Sequence, residues 1–245
     1  MQLIKAKDYP DLCHKAAELI LRKVKGQKKL TLGLATGGTP QGVYRILVEE
    51  ARQNGTTYQH VTTFNLDEYV GLPPDHPQSY HTYMNKKLFD FIDIPPQNVH
   101  IPDGMAENLE EECRRYEQMI DQSGGIDLQL LGIGINGHIG FNEPGTSFHS
   151  FTHVVKLEES TRIANSRFFS SLEEVPAFAV TMGIASIMKS KEILLLAVGK
   201  RKAEVLQRLI YGEVTEELPA SVLKMHQHVT IIADEEALSS LSIRC

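Results

Sequence analysis

Apolar residues recur along this chain in two alternating rhythms, and the alternation predicts the fold. Leu12, Ala16, Leu19, Ile20 and Val24 fall at helical spacing within residues 11–25, with Gly26 as a stop. Residues 29–35 then form an apolar run of strand length, and Val43, Tyr44, Leu47 and Val48 resume a helical stripe. Residues 61–66 read as a second strand, 79–92 as a helix, 98–101 as a short strand, 106–122 as a charged helix and 127–134 as a third strong strand. Further on, 177–181 is a short run and 192–199 a buried strand, with the next helix opened by Lys200, Arg201 and Lys202. The last strand is 229–233, with a short helix expected from Asp234. Strands that alternate with helices over the whole length predict a single α/β domain spanning 1–245. Its sheet should be Rossmann-like, open and mostly parallel, with helices on both faces. Only 148–169 is polar and weakly patterned, which suits either a surface helix or a lid over a site.

Three of the predicted strands end in loops rich in polar groups. The first runs Thr36-Gly37-Gly38-Thr39-Pro40, with Thr39 expected as helix N-cap and Pro40 in the first turn. Free N–H groups at such a helix start can hold a phosphate, although the Gly-Lys-Ser/Thr ending of a nucleotide-binding P-loop is missing. The second is Asp67-Glu68-Tyr69. The third, Gly132 to Gly145, carries Asn136, His138 and Glu143 within eight residues. Gly132-x-Gly134-x-x-Gly137 satisfies a dinucleotide-binding spacing, but that motif requires a helix to follow. Gly140, Pro144 and Gly145 interrupt any such helix within two turns. In open α/β sheets ligands bind beyond the carboxyl ends of the strands, so the three loops should converge on one pocket. The cations at 200–202 oppose a helix dipole and are better explained by an anion bound nearby.

Composition narrows the partners. The net charge of −6 gives no general attraction to nucleic acid or anionic membranes, so an anionic ligand needs a local cluster of cations. No stretch approaches a membrane span and the first residues lack the zones of a signal peptide, which leads to the expectation of a cytoplasmic protein. Cys13, Cys113 and Cys245 are scattered, without a Cys-x-x-Cys pair, and none of the ten histidines falls in a ligand spacing such as His-Glu-x-x-His. No metal site is expected.

Four segments carry a family likeness. Residues 34–40, 64–72, 132–144 and 161–169 resemble, in order and at the right separations, the signatures of glucosamine-6-phosphate deaminase. The resemblance implies isomerising deamination of glucosamine 6-phosphate to fructose 6-phosphate and ammonia, without metal or organic cofactor. By that likeness His138 opens the sugar ring, assisted by Glu143 and Asn136, and Asp67 carries a proton from C2 to C1. An imidazole near its ordinary pKa both accepts and donates at neutral pH. Gly38, Thr39, Arg167 and Lys202 are expected to bind the phosphate, with Thr36, Gly37 and Gly137 adding substrate contacts.

Two departures bear on the expectations. Many relatives carry Asp where this chain has Asn136, and an amide hydrogen-bonds without adding charge beside His138. Hexameric relatives activated by N-acetylglucosamine 6-phosphate use a basic pair after the Glu-Pro motif and a longer tail. This chain has His153 and Val155 in that region, so an unregulated monomer is expected. A lactonase or isomerase of the same sheet class would share the phosphate loop, and a non-catalytic sugar-phosphate sensor would keep it too. Neither needs Asp67 together with His138.

Overall fold

The structure is a computed structural model and describes residues 1–166 and 169–241. Seven of its strands are β1 (Gln2–Ala6), β2 (Leu30–Leu34), β3 (Val61–Asn65), β5 (Val99–His100), β6 (Leu128–Gly132), β9 (Glu192–Ala197) and β10 (Val229–Asp234). They form one parallel sheet in the order β1-β10-β9-β6-β2-β3-β5. Three more, β4 (Asp67–Tyr69), β7 (His153–Lys156) and β8 (Phe178–Thr181), form a separate antiparallel sheet in the order β4-β8-β7. The helices are α1 (Tyr9–Gly26), α2 (Gln41–Asn54), α3 (Tyr80–Lys87), α4 (Leu109–Gln122), α5 (Glu159–Ser166), α6 (Ile184–Met188) and α7 (Ala203–Tyr211).

The continuous apolar strands are explained by burial on both faces. Successive side chains of a strand point to opposite sides. Leu194 and Leu196 of β9 accordingly join one core with α1, α2 and α3, whereas Ile193, Leu195 and Ala197 join the other with α4, α6 and α7. The mostly parallel sheet with helices on both faces is thus as the patterning predicts. From its centre the chain runs β2-β3-β5 to one side and β6-β9-β10 to the other. The switch point lies between β2 and β6, where a crevice opens beyond the strand ends.

Four local expectations need correction. The patterning does not predict the edge strand β1, because its exposed positions leave little apolar signal. Residues 177–181 do form a strand, but it is antiparallel and belongs to the second sheet. The segment after Asp234 forms turns instead of a helix. Thr39 does not cap α2: that helix begins at Gln41 with no side-chain cap bond, because Pro40 has already taken a helical conformation.

Candidate active site

The loops after β2 and β6, Asp67 at the start of β4 and the turn after β9 enclose a cleft of about 680 Å³. Of the residues singled out from the sequence, Thr36, Gly37, Gly38, Thr39, Asp67, Asn136, His138 and Lys202 line it. Glu143 lies behind His138 and Asn136, one step from the wall. Gly137 is not among the lining residues. Its φ of 92° suits glycine, and its carbonyl accepts from Ala220 N–H at 2.9 Å, so it shapes the loop from outside the cleft. Arg167 lies outside the described residues.

The loop after β6 is a side-chain platform. Among the described residues no helix stands between β6 and β7, which disposes of the dinucleotide motif. Gly134 is required by close approach, because a β-carbon there would stand 2.3 Å from the His138 ring. The buried Asn142 amide donates to Ile139 O at 2.9 Å and Met182 O at 2.8 Å, and Phe141 N–H donates to Thr181 Oγ1 at 3.1 Å. These bonds fasten the loop to the end of β8.

Glu143, Asn136 and His138 form a relay. Glu143 is buried and accepts from Thr161 Oγ1 and from Asn136 Nδ2, both at 2.6 Å. Burial pushes the Glu143 carboxyl up. The His138 imidazole and the hydrogen bonds from Thr161 and Asn136 outweigh it and hold the pKa at about 2. An ionised carboxylate only accepts, so the Asn136 amide must turn its nitrogen to Glu143 and its oxygen to the ring. Asn136 Oδ1 lies 2.8 Å from His138 Nδ1, and a carbonyl oxygen cannot donate. Nδ1 therefore carries the proton, which leaves Nε2 as the ring's acceptor. The direct separation from Nδ1 to Glu143 Oε2 is 3.5 Å, so the carboxylate acts on the imidazole chiefly through the amide.

Asp67 faces the same cleft under opposite conditions. It opens β4, where it pairs with Thr181 of β8, and it is 7% exposed. A β-carbon on Gly140 would stand 3.8 Å from its Oδ2, so the carboxylate lies against the His138 loop. Burial, with the neighbouring Glu68 charge, raises its pKa to about 8. Glu68 points away and accepts from Tyr80 N–H, His81 N–H and His81 Nδ1, tying β4 to the start of α3. Two carboxylates with widely separated affinities for a proton are what a site with distinct acid and base duties requires.

Cations collect at the turn after β9. Gly199 N–H donates to Asp234 at 3.0 Å, which holds the turn carrying residues 200–202. Lys202 Nζ donates to Ile133 O at 2.6 Å, and its pKa is lowered by burial and by the Arg201 charge. Arg201 also lines the cleft, as do Tyr80 and Thr161. The sequence ties Arg201 to a bound anion only as one of three consecutive cations, and it places neither Tyr80 nor Thr161 in the site: both sit in helices whose pattern says nothing of the pocket, although Thr161 opens one of the four family-like segments.

Residues 6–232 match the family described as glucosamine-6-phosphate isomerases/6-phosphogluconolactonase. The chain is 58% identical over 243 residues to a glucosamine-6-phosphate deaminase of Halalkalibacterium halodurans, covering 99% of each chain. It is 52% identical to glucosamine-6-phosphate deaminase 1 of Bacillus subtilis, covering 98% of this chain and 99% of the relative. Among solved structures, a monomeric glucosamine-6-phosphate deaminase superposes with a TM-score of 0.96 at 51% identity, over 98% of this chain and 100% of the other. A 6-phosphogluconolactonase from Trypanosoma cruzi reaches 0.79 at 22% identity, over 98% of this chain and 97% of the other, a likeness of fold alone.

Proposed function

The chain belongs to the glucosamine-6-phosphate isomerase/6-phosphogluconolactonase family, and from that premise we infer how its cleft works as a glucosamine-6-phosphate deaminase. The reaction converts glucosamine 6-phosphate and water to fructose 6-phosphate and ammonia. The sugar phosphate sits with its anion against Thr36 to Thr39 and the Arg201 and Lys202 cations. His138 takes the anomeric hydroxyl proton on Nε2 and returns it to the ring oxygen, which opens the ring. The Asn136–Glu143 relay keeps the imidazole in the tautomer this step needs.

Asp67 then takes the C2 proton and returns it at C1. As the C2 proton moves to C1, the substrate's ammonium gives up one proton and the C1 carbonyl oxygen gains one. The products are therefore a C1 alcohol and an iminium at C2, which water hydrolyses to the ketone and ammonium, the protonated form of ammonia. A carboxyl group with a pKa of about 8 is a stronger base, once ionised, than an ordinary carboxylate. The substrate's amine, when protonated beside it, favours that ionised form. The observation that carries this reading is the buried Asp67 on the same cleft as the His138 relay. Lactone hydrolysis requires no proton transfer between adjacent carbons.

We propose a monomer, in line with the solved relative described as one, acting in the cytoplasm on a soluble sugar phosphate. Among the described residues no helix is long and apolar enough to cross a membrane. The decisive experiment incubates the protein with glucosamine 6-phosphate and measures ammonia and fructose 6-phosphate together. Equal amounts are expected, with both lost in Asp67→Asn. Hydrolysis of 6-phosphogluconolactone without ammonia release from the amino sugar would overturn the assignment.

A further inference from the structure

The loop after β2 is held by three phenols drawn from three helices, Tyr44 and Tyr83 from behind and Tyr9 from the rim of the cleft. Tyr9, at the start of α1, donates to Gly38 O and Thr39 O at 3.2 and 3.1 Å and accepts from Gly42 N–H at 2.9 Å. Tyr44, fully buried in α2, donates to Ala35 O at 2.5 Å and accepts from Ala35 N–H at 3.2 Å. Tyr83 of α3 donates to Gly37 O at 2.6 Å.

A trans peptide points the carbonyl of one residue opposite to the N–H of the next. Fixing Ala35 O, Gly37 O and Gly38 O therefore fixes the N–H groups of Thr36, Gly38 and Thr39 in the other direction. Among the described residues none accepts a hydrogen bond from those three N–H groups, and all three residues line the cleft. The constraint matters most at the Gly37–Gly38 peptide, where Gly37 has φ 98° and glycine offers little resistance to rotation. Turned over, that peptide would present a carbonyl oxygen to an anion in place of a donor.

We propose that Tyr9, Tyr44 and Tyr83 are positioning residues whose hydroxyls hold this loop in the conformation that accepts the substrate's phosphate. The proposal rests on the phosphate assignment made above. The loop grips a part of the substrate that does not react, and a grip of equal strength in the ground and transition states contributes to binding without contributing to turnover. Loosening it weakens binding and leaves turnover in place.

Tyr83→Phe and Tyr9→Phe remove one oxygen each and keep the ring. Steady-state ammonia release is measured for each, with inorganic phosphate as competitive inhibitor. We expect KM and the phosphate inhibition constant to rise together by about three- to tenfold, the worth of one hydrogen bond, with kcat changed less than twofold. Phosphate that competes equally well in the parent and in the folded Phe variants overturns the clamp while leaving the phosphate site standing. So does a fall in kcat or melting temperature at unchanged inhibition constant. Phosphate that does not compete in the parent enzyme overturns the phosphate assignment itself. Should one variant fail to fold, the other decides.

Discussion

Asp67→Asn separates the chemistry of the site from its energetics. The raised pKa of Asp67 means that the folded protein holds a proton there which the unfolded chain, with a pKa of 3.8, gives up. The stability linked to that proton is fully present below pH 3.8 and is lost as pH rises to the folded value of about 8. With 1.36 kcal/mol per pKa unit, the wild type has lost roughly 2 kcal/mol by pH 5 and roughly 5 kcal/mol by pH 8. The amide introduced by Asp67→Asn is neutral throughout and has nearly the same shape as the carboxyl, so the variant escapes this loss. Groups uncoupled to position 67 contribute equally to both proteins and cancel in the difference. Urea unfolding of both at pH 5 and pH 8 should show the variant gaining on the wild type by about 3–4 kcal/mol across that interval. The variant should also be inactive at every pH, since an amide cannot take the C2 proton. Stability differences that stay constant between pH 5 and 8 would refute the idea that burial makes Asp67 an unusually strong base.

The remaining predictions concern the relay and the phosphate end. Glu143→Gln lets the amide at 143 donate as well as accept, so Asn136 is no longer forced to present its oxygen to His138. The expected result is a kcat lower by about 10²-fold at nearly unchanged KM, and a loss under threefold would sink the relay. Asn136→Asp places a second carboxylate against Glu143 and the imidazole. The acid limb of the kcat profile should move to higher pH, and an unmoved profile would show that charge at 136 is immaterial. Lys202→Met should raise KM by about ten- to a hundredfold with a much smaller change in kcat, as expected for a cation that binds the unreactive phosphate. Steady-state kinetics showing the loss in kcat alone would instead assign Lys202 to the reacting end.

Much of the machinery is legible in the amino-acid order alone. The two hydrophobic periods carry the parallel sheet, because strands covered on both faces are apolar at most positions, with buried polar exceptions such as Thr31, Thr63 and Gln129. The polar loops at the ends of β2 and β6 stand out because glycine, amide, imidazole and carboxylate seldom crowd together for the sake of packing. What periodicity cannot convey is strand order. That β2 and β6 are neighbours, with the chain running outward on either side, follows from the helices packing on two faces, and it is what brings the loops of residues 36–39 and 132–143 into one crevice. Nor can it convey the second sheet. Three short strands far apart in sequence pair antiparallel, and Asp67, Thr181 and His153 meet at one register position only through those cross-strand hydrogen bonds. The protonation states belong to the same category. A carboxylate's affinity for a proton depends on burial and neighbours, so Asp67 and Glu143, ordinary side chains in the sequence, are driven to about 8 and about 2 by the fold alone.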